Sequence, residues 1–177
     1  MSRQGIRFVA VFLGCIVAAS ILLEIDAVDN LVVNPITAAI ARAGGAVLAG
    51  LGIPNQTYGT VIRGEDGFSV NILDGCNGMD VTAIVLSAVL AFPSTLAQKG
   101  IGVLLGILGV HAVNLVRIVT LFLIGMNYPA LFERFHYYVW QTVVIVLSMA
   151  IWIFWAEFIV RNREAPSQAS PRHGPGA

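Results

Sequence analysis

The sequence predicts an all-α polytopic membrane protein, with about four transmembrane helices, an interfacial helix and a short extracytoplasmic β-hairpin. Three observations carry that reading. Of 177 residues, 57% are hydrophobic and 11% charged, against about 45–50% and about 25% in an average soluble domain. Several apolar runs approach or exceed the roughly 20 residues needed to cross a hydrocarbon core. Basic residues punctuate those runs so that a four-span threading collects them on one side. The length suits one domain, assigned to residues 1–163, and a tail at 164–177 rich in Pro, Ser, Gly and Ala reads as disordered. With a net charge of zero and no basic block, nucleic acid is not an expected partner.

The first span runs roughly from Ile6 to Leu23, behind Arg3 and Arg7. A signal peptide has the same charge order, but no small-x-small cleavage site leads into a soluble domain, so a membrane anchor is the better reading. Leu31–Ile53 is apolar enough to suggest a further span, with Asn34-Pro35 as a helix start. Arg42 would then lie near the bilayer centre, at a cost of about 2.5–3.5 kcal/mol on insertion scales. Gly44, Gly45, Gly50 and Gly52 further weaken an isolated helix, and the segment is expected to lie in or against the interface.

Thr57–Arg63 and Phe68–Leu73 are β-like runs separated by Gly64-Glu65-Asp66-Gly67, a hairpin signal. A second span is read from Met79 to Ala97, with Pro93 tolerated where neighbours satisfy the freed carbonyl. The third runs roughly from Gly100 to Ile124 and the fourth from Tyr137 to Val160. Tyr137, Tyr138, Trp140, Trp152 and Trp155 lie towards the ends of the fourth, as interfacial aromatics do.

Charge sets the orientation. Arg3 and Arg7, Lys99, and Arg161 and Arg163 fall on one side, whereas Glu24–Asp80 carries seven acids against Arg42 and Arg63. The positive-inside rule then makes both termini cytoplasmic. A fifth span would put Lys99 and the Arg161/Arg163 pair on the wrong face.

That threading brings three unusual positions to the outer face: Cys76, Arg117 and His136. Two cysteines cannot form a disulfide framework; Cys15 sits in an apolar run as a small hydrophobe, whereas Cys76 sits in the polar loop Asp74-Gly75-Cys76-Asn77-Gly78. A helix follows, and the positive end of its dipole favours a thiolate, while Asp74 and Asp80 bring like charge. Gly75 and Gly78 permit close approach of backbone to a substrate. Arg117 interrupts an apolar span, with Asn114 and His111 continuing the same helical face inwards. Such an arginine normally faces a polar cavity or a partner; the alternative is an anchor that snorkels to the interface. His136, just before the fourth span, can act as general base for Cys76, with His111 as a deeper rival. No His/Cys/carboxylate set has ligand spacing, so neither a metal nor another cofactor is expected.

Gly75-Cys76-Asn77-Gly78, then Asn114-Leu115-Val116-Arg117-Ile118, then Phe135-His136 with Trp140-Gln141 together resemble the exosortase/archaeosortase family, most closely the short exosortase H group. The likeness covers roughly Phe68–Gln141. It implies a multi-span cysteine protease/transpeptidase of the bacterial inner membrane with Cys76 as nucleophile, Arg117 as the motif arginine and His136 as base. Asn77, Gly78 and Asn114 would support them. It further implies exported proteins as partners, each bearing a tripartite C-terminal sorting signal with a transmembrane helix, cleaved at the outer face in contact with membrane lipid. Many exosortases have Ser where this chain has Asn77. The competing class is a small transporter or assembly factor whose seam of His111, Asn114 and Arg117 binds an anion or a partner helix.

Overall fold

A computed structural model describes residues 3–161; the expected disordered tail, 164–177, lies outside the described residues. In chain order the elements are α1 (Arg3–Leu23), α2 (Asp26–Gly50), β1 (Asn55–Tyr58), β2 (Val61–Gly64), β3 (Ser69–Asn71), α3 (Met79–Ala91), α4 (Leu96–Asn127) and α5 (Pro129–Val160). Among the described residues α1, α2, α4 and α5 are long and apolar enough to cross a membrane. The chain is an all-α polytopic membrane protein carrying one small antiparallel sheet, of strand order β1-β2-β3.

Those four helices are not the four spans expected. Pro93 explains one difference: it lacks an N–H and disfavours helical backbone in the residue before it. Phe92 is accordingly extended, at φ −69° and ψ 135°. The expected span to Ala97 therefore stops at Ala91 after 13 residues. The next helix restarts behind a capping box: Thr95 Oγ1 accepts the Gln98 N–H at 3.3 Å, and Gln98 Oε1 accepts the Thr95 N–H at 2.8 Å.

The other difference is α2. Its glycines are packing sites more than weaknesses, because a Cβ at Gly44 would stand 3.1 Å from Ile62 and 3.3 Å from Ile118. Arg42 is exposed, turned away from the buried stripe of Ala41, Gly44, Gly45 and Leu48. Length and apolarity would let α2 cross a bilayer, but a lipid-facing guanidinium at mid-helix is costly.

Instead of one hairpin the sheet has three strands, because the two-residue loop Gly59-Thr60 splits the expected run 57–63. Gly59 there adopts φ +57°, the positive φ that tight hairpin turns require. Asn55 Nδ2 donates to the carbonyls of Gly45 at 2.9 Å and Ile53 at 3.0 Å, tying β1 to the end of α2.

Two cores result. One joins α2, the sheet and the late part of α4 through Ala41, Leu48, Ile62, Ile72, Ile118, Val119 and Phe122. The other joins α3 to the end of α5 through Val89, Trp155, Ala156 and Val160. Gly102 and Gly106 let α4 approach closely there: a Cβ at Gly102 would stand 2.6 Å from Trp155, and one at Gly106 would stand 3.0 Å from Val85. Trp155, expected at the membrane interface, is instead 1% exposed, its indole N–H donating to the Gln98 carbonyl at 2.8 Å. Trp152 is partly buried and packs against Phe8 and Phe92. Tyr137 and Tyr138 are exposed.

The bundle has two unlike ends. At one, Phe8 meets Phe92, Lys99 Nζ donates to the Leu90 carbonyl, and Gln98 Nε2 reaches the Val160 carbonyl at 3.4 Å. The start of α1, the α3–α4 turn and the finish of α5 meet there. At the other end, Glu24, Asp26, Asp29, Asp74 and Asp80 line a pocket of about 290 Å³ beside the Cys76 loop.

Candidate active site

The loop from β3 to α3 carries Cys76. Gly75 at φ +77° and Gly78 at φ +83° adopt left-handed backbone that costs other residues about 1–2 kcal/mol each, so the turn around the cysteine needs glycine at both positions. Asn77, 1% exposed, holds the turn from within. Its Oδ1 accepts the Met79 N–H at 3.0 Å, and its Nδ2 donates to Asp74 Oδ1 at 3.3 Å and Thr37 Oγ1 at 3.2 Å. Thr37 in turn donates to the Val33 carbonyl at 2.8 Å. Asn77 is therefore a strut between the cysteine loop and α2. Sequence reasoning missed Thr37, whose only signal was a hydroxyl in the first turns of an apolar helix.

His136 is positioned by α5, which passes through a π-helical turn over Phe135–Trp140. Such turns are rare and recur at functional sites. Its Nε2 lies 3.1 Å from Cys76 Sγ. The imidazole packs against two rings, with centroids 5.7 Å from Phe132 and 4.7 Å from Tyr137. Phe132 stacks edge-on with Phe68 at 6.0 Å, and Phe68 with Phe122 at 5.5 Å. A chain of rings thus ties the histidine to the core under the sheet, a connection no sequence spacing announces.

Arg117 comes from α4 and is 4% exposed. Its Nη2 donates to Cys76 Sγ at 3.8 Å, and its Nε has no protein partner. One turn back, Asn114 is fully buried and lies against Gly78, where a Cβ would stand 3.4 Å from its side chain. Both carboxamide atoms of Asn114 lack a protein partner, and so does His111 Nδ1.

The structure thus brings Cys76, Arg117 and His136 together from a loop and two helices, with Gly78 and Asn114 immediately beneath and Asn77 bracing the loop. His111 stays deeper on α4, away from the thiol. A thiol 3.1 Å from an imidazole can pass its proton directly, and a guanidinium at 3.8 Å can face negative charge on sulfur or on an adjacent oxygen. Among the described residues no group of three or more His, Cys, Asp or Glu could hold a metal ion.

A family model described as transmembrane exosortase (Exosortase_EpsH) matches residues 1–155. No curated protein and no solved structure matches the chain. With a family match over most of its 177 residues, the chain belongs to the transmembrane exosortase family.

Proposed function

We propose that the protein is a membrane-embedded cysteine transpeptidase that cleaves the C-terminal sorting signal of exported proteins. The observation that carries this reading is the 3.1 Å approach of His136 Nε2 to Cys76 Sγ across 60 residues of sequence, with a buried guanidinium 3.8 Å from the same sulfur. His136 accepts the thiol proton as sulfur attacks the scissile carbonyl. Arg117 faces the oxyanion that develops. Collapse of the adduct breaks the C–N bond, His136 returns the proton to the leaving amine, and a thioester remains on Cys76. An incoming amine attacks that thioester, gives up a proton to His136 and regenerates the thiol.

Orientation belongs to the same proposal. The end carrying Arg3, Arg7 and Lys99 faces the cytoplasm under the positive-inside rule, both termini are cytoplasmic, and the acidic end with Cys76 opens outside the inner membrane. The buried face of α4 supports an enzyme over a transport path. Towards the basic end, beyond His111, it continues with Val110, Gly106 and Gly102, so the polar seam stops within the bundle.

Co-expression with a reporter carrying a native sorting tail tests the proposal. Cleavage and release from the membrane are expected with the wild-type protein and absent with Cys76→Ala, and an acyl adduct should be trapped on Cys76. Normal processing by Cys76→Ala would end the nucleophile assignment.

A further inference from the structure

The sheet above the bundle has two edges, and they are not alike. β1 lies against α2: a Cβ on Gly45 would meet Thr57 Oγ1 and stand 2.8 Å from Asn55 Oδ1. β3 is the opposite edge and pairs only with β2. On either side of that pairing the Gly64 N–H donates to the Phe68 carbonyl at 2.8 Å, and the Ile72 N–H to the Thr60 carbonyl at 3.0 Å. Bonded and non-bonded pairs alternate along an antiparallel ladder, so Phe68, Val70 and Ile72 turn their backbone groups towards β2. The N–H and C=O of Ser69 and Asn71 point the other way. Both residues are exposed, and those four backbone groups have no hydrogen-bond partner among the described residues.

This open edge leads into the reaction centre. β3 ends at Asn71, five residues before Cys76, which an extended chain covers in at most about 18 Å. Phe68, immediately before β3, packs on Phe132 of α5 with centroids 6.0 Å apart, one helical turn before His136. The edge is thus flanked at its start by the helix of the base and at its finish by the loop of the nucleophile.

An edge strand with free amides and carbonyls is a template for another extended chain. Its alternating donors and acceptors complement a peptide backbone, and neither an acyl chain nor a helix can answer them. A second copy of this chain is a poor occupant. Paired so that Ser69 faces the partner's Asn71, it would set Asp66 against the partner's Asp74 at both ends, and like charges directly opposite destabilise a pair.

We infer that β3 is the docking strand for the peptide substrate, whose residues next to the scissile bond pair their backbone with Ser69 and Asn71 as an added strand. The inference rests on the transpeptidase reading and adds where, and in which conformation, the peptide is held. Main-chain pairing sets the register of the peptide against Cys76 Sγ and leaves selectivity to its alternate side chains.

Two measurements test it. Synthetic substrate peptides in proteoliposomes each carry one N-methylated amide, at successive positions flanking but not including the scissile bond. Cleavage by the wild-type protein should fall by about tenfold or more at alternate positions on one side of that bond, and stay near normal between them. Loss at every position alike, or at none, overturns the inference. Ser69→Pro removes an amide hydrogen that the sheet does not use, at the first residue of an edge strand, where proline is tolerated. Its melting temperature should match wild type while kcat/KM falls at least tenfold; should the variant melt early, the N-methyl series alone decides. A photo-crosslinking residue at Asn71, in a Cys76→Ala background, should give adducts with the peptide. Adducts joining two copies of the chain instead overturn the inference. Peptide adducts with no cleavage by the wild type keep the docking strand and overturn the enzyme. Cleavage at the wild-type rate by Ser69→Pro keeps the enzyme and overturns the docking strand.

Discussion

Replacing Arg117 by Met isolates what its charge contributes. Met has similar reach, fills the same space and leaves no buried charge unpaired. Across the 3.8 Å between Nη2 and Sγ, two unit charges interact by about 4 kcal/mol at an effective dielectric of about 20. At about 1.4 kcal/mol per tenfold that corresponds to about three decades of rate, and removing one oxyanion donor from other enzymes costs about 10²–10³ in kcat. Arg117→Met is therefore expected to lower the single-turnover cleavage of a tailed reporter, in proteoliposomes, by about 10²–10³. Arg117→Lys should recover little of it, because a point charge on a flexible stem does not reproduce the planar fork that now reaches sulfur through one nitrogen. Membrane abundance and melting temperature of each variant separate catalytic loss from misfolding. A rate for Arg117→Met within threefold of wild type would return the residue to the role of an anchor. Full recovery at high pH would confine its action to ionising the thiol and refute the transition-state role.

Four other substitutions probe the same frame. Cys76→Ser should leave cleavage below one part in a thousand of wild type, as no thioester can form; mass spectrometry of the trapped enzyme checks it. Asn77→Ala removes three hydrogen bonds worth about 1 kcal/mol each, so both melting temperature and kcat should fall. Gly78→Ala forces φ +83° on a residue that resists it at about 1–2 kcal/mol, and the melting temperature in detergent should drop by several degrees. Trp155→Phe deletes the 2.8 Å bond to the Gln98 carbonyl and should cost about 1–3 kcal/mol, yet leave reporter cleavage nearly unchanged, since it sits at the opposite end of the bundle from Cys76.

What the sequence disclosed was whatever depends on composition and charge. Apolar runs reveal spans, and Arg117 inside one of them advertises a partner because lipid cannot provide one. The errors came where tertiary contacts override local preference. Pro93 read as tolerable in a bundle, yet the helix ends at Ala91 and restarts behind the capping box of Thr95. Trp155 read as interfacial because its position near a span end is shared by belt residues and by buried ones; only the approach of Gly102 distinguishes them. Thr37 and the ring chain from Phe122 to His136 were invisible, since each depends on which segments are neighbours in space.

The position of the cluster between the two cores explains how so small a chain can build a reaction centre without a soluble domain. α4 has 32 residues, about 48 Å at 1.5 Å per residue, well beyond a hydrocarbon thickness of about 30 Å. Its surplus carries Ile118, Val119 and Phe122 into the core shared with α2 and the sheet, and Arg117 is the last residue before that core begins. α5 matches it on the way back, with His136 at the corresponding junction. The cap made by α2 and the sheet is fastened to the bundle at this level by Asn77 and Thr37, and by Phe68 with Phe132. The guanidinium therefore lies buried where the apolar bundle gives way to the cap, while the thiol stays partly exposed. Severing the cap from the bundle, as in Asn77→Ala combined with Phe68→Ala, should consequently lower cleavage by more than the product of the two single effects, while the helices remain inserted. Additive effects of the two substitutions on the logarithm of the rate would show that the cap only covers the site and does not assemble it.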